Sequence, residues 1–230
     1  MISEYNYLEG LKRIDSRVQS NVDLNRIPTI PRLKEYGSKG TICCYGTVVS
    51  IQLSPIKNEY NLDESKKIKI IESFFSEACH IIRSNSSYRD IVVSNLTITA
   101  IYNTALKTEI DDVISDLARI RSLISIIEKK FNIPRGLLNV KMSACYGSLN
   151  MTVVELSEIS KNFLWNGDAI TTSHKMLDDS DNSPILISKL VWDNLSESNQ
   201  KCFIPHNQIS GMYVGNIVNA VMNNWLDSNN

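Results

Sequence analysis

The chain is 230 residues long, 43% hydrophobic, and carries a formal net charge of −1. That is enough sequence for one well-buried core, and the near-neutral balance excludes the basic footprint of a nucleic-acid binder or of a protein held on an anionic membrane. Any ligand must be recognised locally, and with neither a signal-like leader in Met1 to Leu11 nor an apolar run of spanning length, a soluble cytoplasmic protein is expected.

The cysteines, Cys43, Cys44, Cys79, Cys145 and Cys202, are odd in number and scattered without a CxxC pair, so buried free thiols are expected rather than disulfides. His80, His174 and His206 lie too far apart in sequence to form a short metal motif.

Residues 1–40 are polar, and Ile27-Pro28-Thr29-Ile30-Pro31 cannot continue a helix, because each proline lacks an amide donor and restricts its predecessor. This segment is expected to be a leading arm, with the domain proper spanning 41–230. Thr41 to Leu53 is rich in β-branched residues and predicts a strand. Glu64 to Arg83 then repeats apolar residues at helical spacing, through Ile68, Ile71, Phe74, Phe75, Ala78, Ile81 and Ile82. Ile91 to Tyr102 is apolar on both sides of Ser94-Asn95, the pattern of a tight hairpin.

Ile110 to Phe131 is the clearest helix, with Ile110, Val113, Ile114, Leu117, Ile120, Ile124, Ile127 and Phe131 on one face and acidic residues at its start. Leu137 to Tyr146 and Met151 to Leu156 predict a strand pair around Gly147-Ser148. Phe163 to Trp165 predicts a strand, Gly167 to Leu177 a helix, and Pro184 to Ser188 a short strand. Lys189 to Leu195 and Gly215 to Leu226 complete the chain as helices. The order β-α-ββ-α-ββ predicts an α+β sandwich, with helices covering one face of a mainly antiparallel sheet.

The segment Phe163-Leu164-Trp165-Asn166-Gly167-Asp168-Ala169-Ile170-Thr171-Thr172-Ser173-His174-Lys175-Met176, followed by Pro184 to Ser188, resembles the strand-Gly-Asp-helix segment of class III adenylate/guanylate cyclase domains. Arg119 to Ile127 and Tyr213 to Trp225 resemble the bacterial uridylate and cytidylate cyclases of Pycsar-type anti-phage signalling. The resemblance runs from about Thr41 to the C-terminus and implies a ferredoxin-like βαββαβ core. It also implies active sites between two protomers, and Mn²⁺ or Mg²⁺ with a pyrimidine nucleoside triphosphate as substrate.

That chemistry needs two carboxylates to hold two metal ions while a 3′-hydroxyl attacks its own α-phosphate and pyrophosphate leaves. By the resemblance, the first aspartate position falls on Gln52 and the second on Asn95, both neutral amides. No aspartate lies between Asp23 and Asp63 to restore the first, while Asp90 is a further candidate for the second in a distorted hairpin. The transition-state asparagine and arginine positions, which the family supplies from the partner protomer, fall on Thr171 and Lys175. Threonine offers a hydroxyl in place of an amide, and lysine lacks arginine's bidentate fork. Nucleotide-binding positions fall on Asn162, Gly167 and Asp168.

Each residue also has a structural reading. Gly167-Asp168 suits an ordinary turn and helix start, Thr171 can bond its preceding turn, and Lys175 can be a solvated helix residue. Asp178-Asp179-Ser180-Asp181-Asn182 lacks the glycine and glutamate of a calcium loop and reads as a polar loop. Trp165 and Trp225 read as packing anchors, and Asn162 as a strand end. The expectation is a degenerate cyclase-homology protein acting as a homodimer or as a heterodimer with an intact cyclase. The alternatives are an active enzyme making cyclic UMP or cyclic CMP, and a nucleotide sensor that binds without turnover.

Overall fold

Residues 6–21, 23–32, 40–56, 62–157, 160–179 and 184–228 are described in the computed structural model, the side chains of 155–162 excepted. Helix α1 (Tyr7–Gln19) starts where the Asn6 side chain accepts from the Glu9 amide, and β1 (Leu24–Arg26) pairs in parallel with the start of β2 (Thr41–Leu53). The expected leading arm therefore contains a helix and a short strand. Its residues 33–39 lie outside the described set.

Helix α2 (Glu64–Ser84) begins where Asp63 accepts from the Lys66 amide at 2.7 Å, satisfying one of the amides orphaned at any helix start. The predicted hairpin is β3 (Tyr88–Ser94) and β4 (Thr97–Tyr102). Its two turn residues, Asn95 and Leu96, have φ of 49° and 57°, the doubly left-handed turn whose twist matches that of paired strands. Helix α3 (Lys107–Lys130) follows, then β5 (Val140–Ser157). The core strands stand in the order β3-β4-β2-β5, every adjacent pair antiparallel, which is the ferredoxin-like arrangement expected of βαββαβ.

The alternation of side chains along these strands divides the core. On one face Val49, Ile51 and Leu53 meet Ile98, Ala100, Tyr102, Val140, Met142 and Ala144 under Phe74 and Ile82 of α2 and Leu117 and Ile120 of α3. Fully burying a side chain of this size contributes about 1.5–3 kcal/mol, and this cluster is the main body of the fold. The other face carries α4 (Asp168–Asp178), which follows β6 (Ser160–Asn166), so helices flank the sheet on both sides. Strand β7 (Ile185–Ser188) pairs in parallel with β5. Beyond it, α5 (Lys189–Asp193), α6 (Glu197–Gln200), β8 (Phe203–Pro205), β9 (Met212–Gly215) and α7 (Ala220–Ser228) close the chain.

Two boundaries differ from the sequence expectation. The strand pair expected around Gly147-Ser148 is one continuous strand, β5, which pairs with β2 along its length and with β6 over its outer part. Gly147 does not turn the chain. A Cβ there would sit 3.3 Å from the Ala169 amide, so the glycine marks the close approach of α4 to the sheet. The helix expected from Gly215 is divided: β9 ends at Gly215, where a Cβ would press on the Phe203 ring at 2.6 Å, and Asn219 caps α7 by accepting from the Met222 amide at 3.0 Å.

Cys44 and Cys145 are buried as expected, and burial pushes the Cys44 thiol up to about 11, whereas Cys202 is exposed. Among the described residues no helix is long and apolar enough to cross a membrane.

Candidate functional site

Gln52 lies on the face of β2 opposite Ile51 and Leu53, the same side as Val48 and Ser50. Its cross-strand partner Thr97 and then Thr99 continue that face on β4, and Val92 and Ser94 continue it on β3. Helix α4 lies along this side. Ala169, Ser173, Met176 and Leu177 form its buried stripe, at helical spacing. Ser173 is fixed twice, its Oγ 2.9 Å from Ser50 Oγ and its carbonyl accepting from Ser143 Oγ at 2.7 Å. Lys141 Nζ donates to the Leu177 carbonyl at 3.3 Å, placing a cation on the last turn, where the helix dipole favours it.

Between the hairpin and this last turn of α4 is a cleft of about 370 Å³, lined by Gln52, Val92, Ser94, Asn95, Thr97, Thr99, His174, Leu177 and Asp178. Gln52 and Asn95, the residues to which the resemblance assigns the metal positions, thus share one cleft. His174, Thr99 and Asp178 are lining residues that the sequence reading did not assign. His174 Nε2 lies 2.8 Å from Thr99 Oγ1 and closes one wall. Helical spacing does place His174 and Asp178 one turn apart, but which strands they face follows only from the packing of α4.

The donors of this cleft do not match a two-metal cluster. Gln52 and Asn95 offer neutral amides, and Asp178 is the only carboxylate among the described residues that line the cleft. Among the described residues no three His, Cys, Asp or Glu side chains converge as a metal group. Asp90 is absent from the cleft lining. It sits at a register shift in β3, with Oδ2 accepting from Trp165 Nε1 at 2.8 Å and Oδ1 from the Ile91 amide at 2.9 Å. Burial raises its pKa, and the bond from Trp165 partly offsets that. Asp90 and Trp165 therefore anchor β3 to β6.

Thr171 and Lys175 are both exposed, one turn apart on α4. Thr171 Oγ1 donates back to the Gly167 carbonyl at 3.3 Å. Neither lines the cleft of its own chain, and the geometry leaves both open to solvent. Gly167 is the N-cap of α4, with φ of 135°, and a Cβ there would fall 2.4 Å from the Ser148 carbonyl oxygen. Asp168 Oδ2 accepts from Ser148 Oγ at 2.8 Å, pinning the helix start to β5. Gly167 and Asp168 stand at the opposite end of α4 from the cleft. Asn162 lies on β6 opposite Val154, with its side chain outside the described set, as are Ser180 to Asn182 of the polar loop.

No protein-family profile matches the chain. The uridylate cyclase of Treponema porcinum is 22% identical over 237 residues, an alignment spanning 99% of this chain and 82% of that protein. A class III adenylyl cyclase-like ATP-binding protein from Pseudomonas aeruginosa superposes with a TM-score of 0.71 at 12% identity over 95% of this chain. The match takes in 48% of that protein, so the chain spans about half its length. The adenylyl cyclase CyaB of P. aeruginosa superposes with a TM-score of 0.60 at 12% identity, over 76% of this chain and 95% of that one. The chain has the class III nucleotide cyclase fold and resembles one uridylate cyclase, that of Treponema porcinum, along nearly its whole length.

Proposed function

We propose that the chain is a degenerate cyclase-homology protein of bacterial cyclic-nucleotide signalling, of the Pycsar-like anti-phage kind, which acts as a catalytically silent dimer or as the regulatory partner of an intact cyclase. The observation that carries this reading is the shared cleft of Gln52 and Asn95, neutral amides that the resemblance assigns to the positions of the family's metal-holding carboxylates. Without those charges, Mn²⁺ or Mg²⁺ lacks the anionic oxygens that hard cations require. Thr171 and Lys175, both exposed and assigned by the resemblance to the transition-state positions, would weaken the partner's contribution in the same direction.

A second reading is supported by the resemblance to a uridylate cyclase over 99% of the chain: an active pyrimidine cyclase converting UTP or CTP to cyclic UMP or cyclic CMP and pyrophosphate. Nucleotide binding without turnover stands between the two. It is favoured by the superposition on a protein described as cyclase-like and ATP-binding.

Incubation of the purified protein with ATP, GTP, CTP and UTP in Mn²⁺, followed by mass spectrometry of the products, separates these readings. The silent reading expects no cyclic product. A cyclic pyrimidine that vanishes in Lys175→Ala overturns it. Equilibrium binding of UTP without product selects the sensor reading instead.

A further inference from the structure

A groove of about 500 Å³ opens between α3, α6 and the link from β9 to α7, on the side of the sheet opposite α4 and the cleft of Gln52. Ile114 and Ala118 of α3 form its buried floor. Three asparagines converge over that floor, and each is pinned by one half of its amide. Asn199 Nδ2 donates to Asp111 Oδ1 at 2.6 Å, Asn216 Oδ1 accepts from Arg121 Nε at 3.1 Å, and Asn219 Oδ1 accepts from the Met222 amide at 3.0 Å. Each bond fixes which way the amide points. The other halves, Asn199 Oδ1 and the Nδ2 groups of Asn216 and Asn219, bond no other described residue. Ser115 Oγ donates to the Asp111 carbonyl at 3.0 Å and keeps its capacity to accept. The link is held as well, since the Asn219 amide donates to Ser122 Oγ at 2.8 Å.

The lining says what chemistry fits. Among the described residues no Asp, Glu, Lys or Arg lines the groove, so an ion inside it would lose water without gaining a counter-charge. An apolar floor beneath a few convergent polar groups is the usual form of a small-molecule site, and its volume falls in the range of about 300–1,000 Å³ that such sites span. Two free amide donors and two free acceptors match a flat ring that carries both carbonyl and N–H groups. Its edge takes the asparagines and Ser115, and its face covers Ile114 and Ala118. The base of an uncharged nucleoside has this chemistry, whereas a phosphate would meet Asn199 Oδ1 and Ser115 Oγ with no cation in the lining.

We propose that this groove binds an uncharged nucleoside, through the free amide halves of Asn199, Asn216 and Asn219. The site is separate from the cleft and does not depend on whether the cleft turns over a triphosphate, so the two ideas fail separately. Because the amides are already oriented by Asp111, Arg121 and the start of α7, binding requires little reordering.

Cys202, exposed and part of the lining, reports occupancy. The full chain is treated with iodoacetamide in the presence of uridine, cytidine, adenosine or guanosine, and alkylation of Cys202 is followed by mass spectrometry of its peptide. At least one nucleoside is expected to slow the reaction saturably. Asn216→Ala is expected to raise the concentration needed about tenfold, the equilibrium cost of one lost hydrogen bond. Ala118→Phe, which fills the floor, is expected to abolish protection; Asn216 is exposed, so its variant keeps the test open should the buried substitution fail to fold. The monophosphate of the protecting nucleoside is expected to protect less than the nucleoside itself. Absence of protection by all four nucleosides, or protection unchanged in Asn216→Ala, overturns the proposal. So does equal protection by the monophosphate, which would show that the groove accepts charge.

Discussion

Thr99 Oγ1 and His174 Nε2 lie 2.8 Å apart, joining a central strand of the sheet to the last turns of α4 and closing one wall of the cleft. A hydrogen bond of this kind contributes on the order of 1 kcal/mol net, and losing one partner leaves the other short of a bond. Thr99→Val and His174→Ala are each expected to lower the stability by about that amount. The double variant should cost less than their sum, because both remove the same interaction. Denaturant melts of the four proteins give the coupling. Strict additivity would show that the contact carries no energy.

The donor set of the cleft is open to repair. Gln52→Asp combined with Asn95→Asp returns two carboxylates to positions that line one space. The wild-type protein is expected to melt at the same temperature with and without Mn²⁺, whereas the double variant should be stabilised by the ion. At Mn²⁺ a hundredfold above its Kd, linkage sets that gain at about 2.7 kcal/mol. Turnover is expected only when Thr171→Asn and Lys175→Arg are added. A wild-type protein already stabilised by Mn²⁺ would contradict the reading of the donor set.

Asp116 supplies a pH dependence. It is 1% exposed on α3, and burial raises its carboxyl to about 6 despite bonds from Asn85 at 2.8 Å, Arg119 at 2.9 Å and Tyr102 at 3.4 Å. The folded chain thus keeps a proton that the unfolded chain, with an ordinary carboxyl at about 3.9, has already released. The sign follows: the folded state binds more protons between about pH 4 and pH 6, so stability falls as pH rises through that window and levels off above it. Asp116's share is at most about 2–3 kcal/mol at roughly 1.4 kcal/mol per pKa unit. Burial raises Asp90 and Glu128 in the same direction, so they add to the slope. Denaturation across the window is expected to show a shallower slope in Asp116→Asn than in the wild type. An unchanged slope would remove Asp116 from the account.

The sequence made the alternating and helical periods of the βαββαβ core legible, because Val49, Ile51 and Leu53, or Ile110 through Ile127, report which face is buried whatever they pack against. The hairpin turn at Asn95 was legible too, from the polar pair between two apolar runs. What escaped the reading depends on neighbours distant in sequence. Gly147 looks like a turn residue until Ala169 is seen above it, and Gly215 looks like a helix start until Phe203 is seen beside it. Within the cleft, Gln52 and Asn95 were found through a family resemblance. His174 escaped because its partner, Thr99, is 75 residues away. Asp90 was weighed as a ligand when its nearest need is the indole N–H of Trp165.

Strand β5 runs without interruption from Lys141, which holds the end of α4, to the register shift between Glu155 and Ser157, where only β6 accompanies it. It is bonded on both edges only over Met142 to Ala144, by β2 and β7, and over Asn150 to Thr152, by β2 and β6, and between them it is held by β2 alone. Gly147 falls in that singly bonded stretch, so a side chain added there presses on α4 at Ala169 with no second strand to share the load.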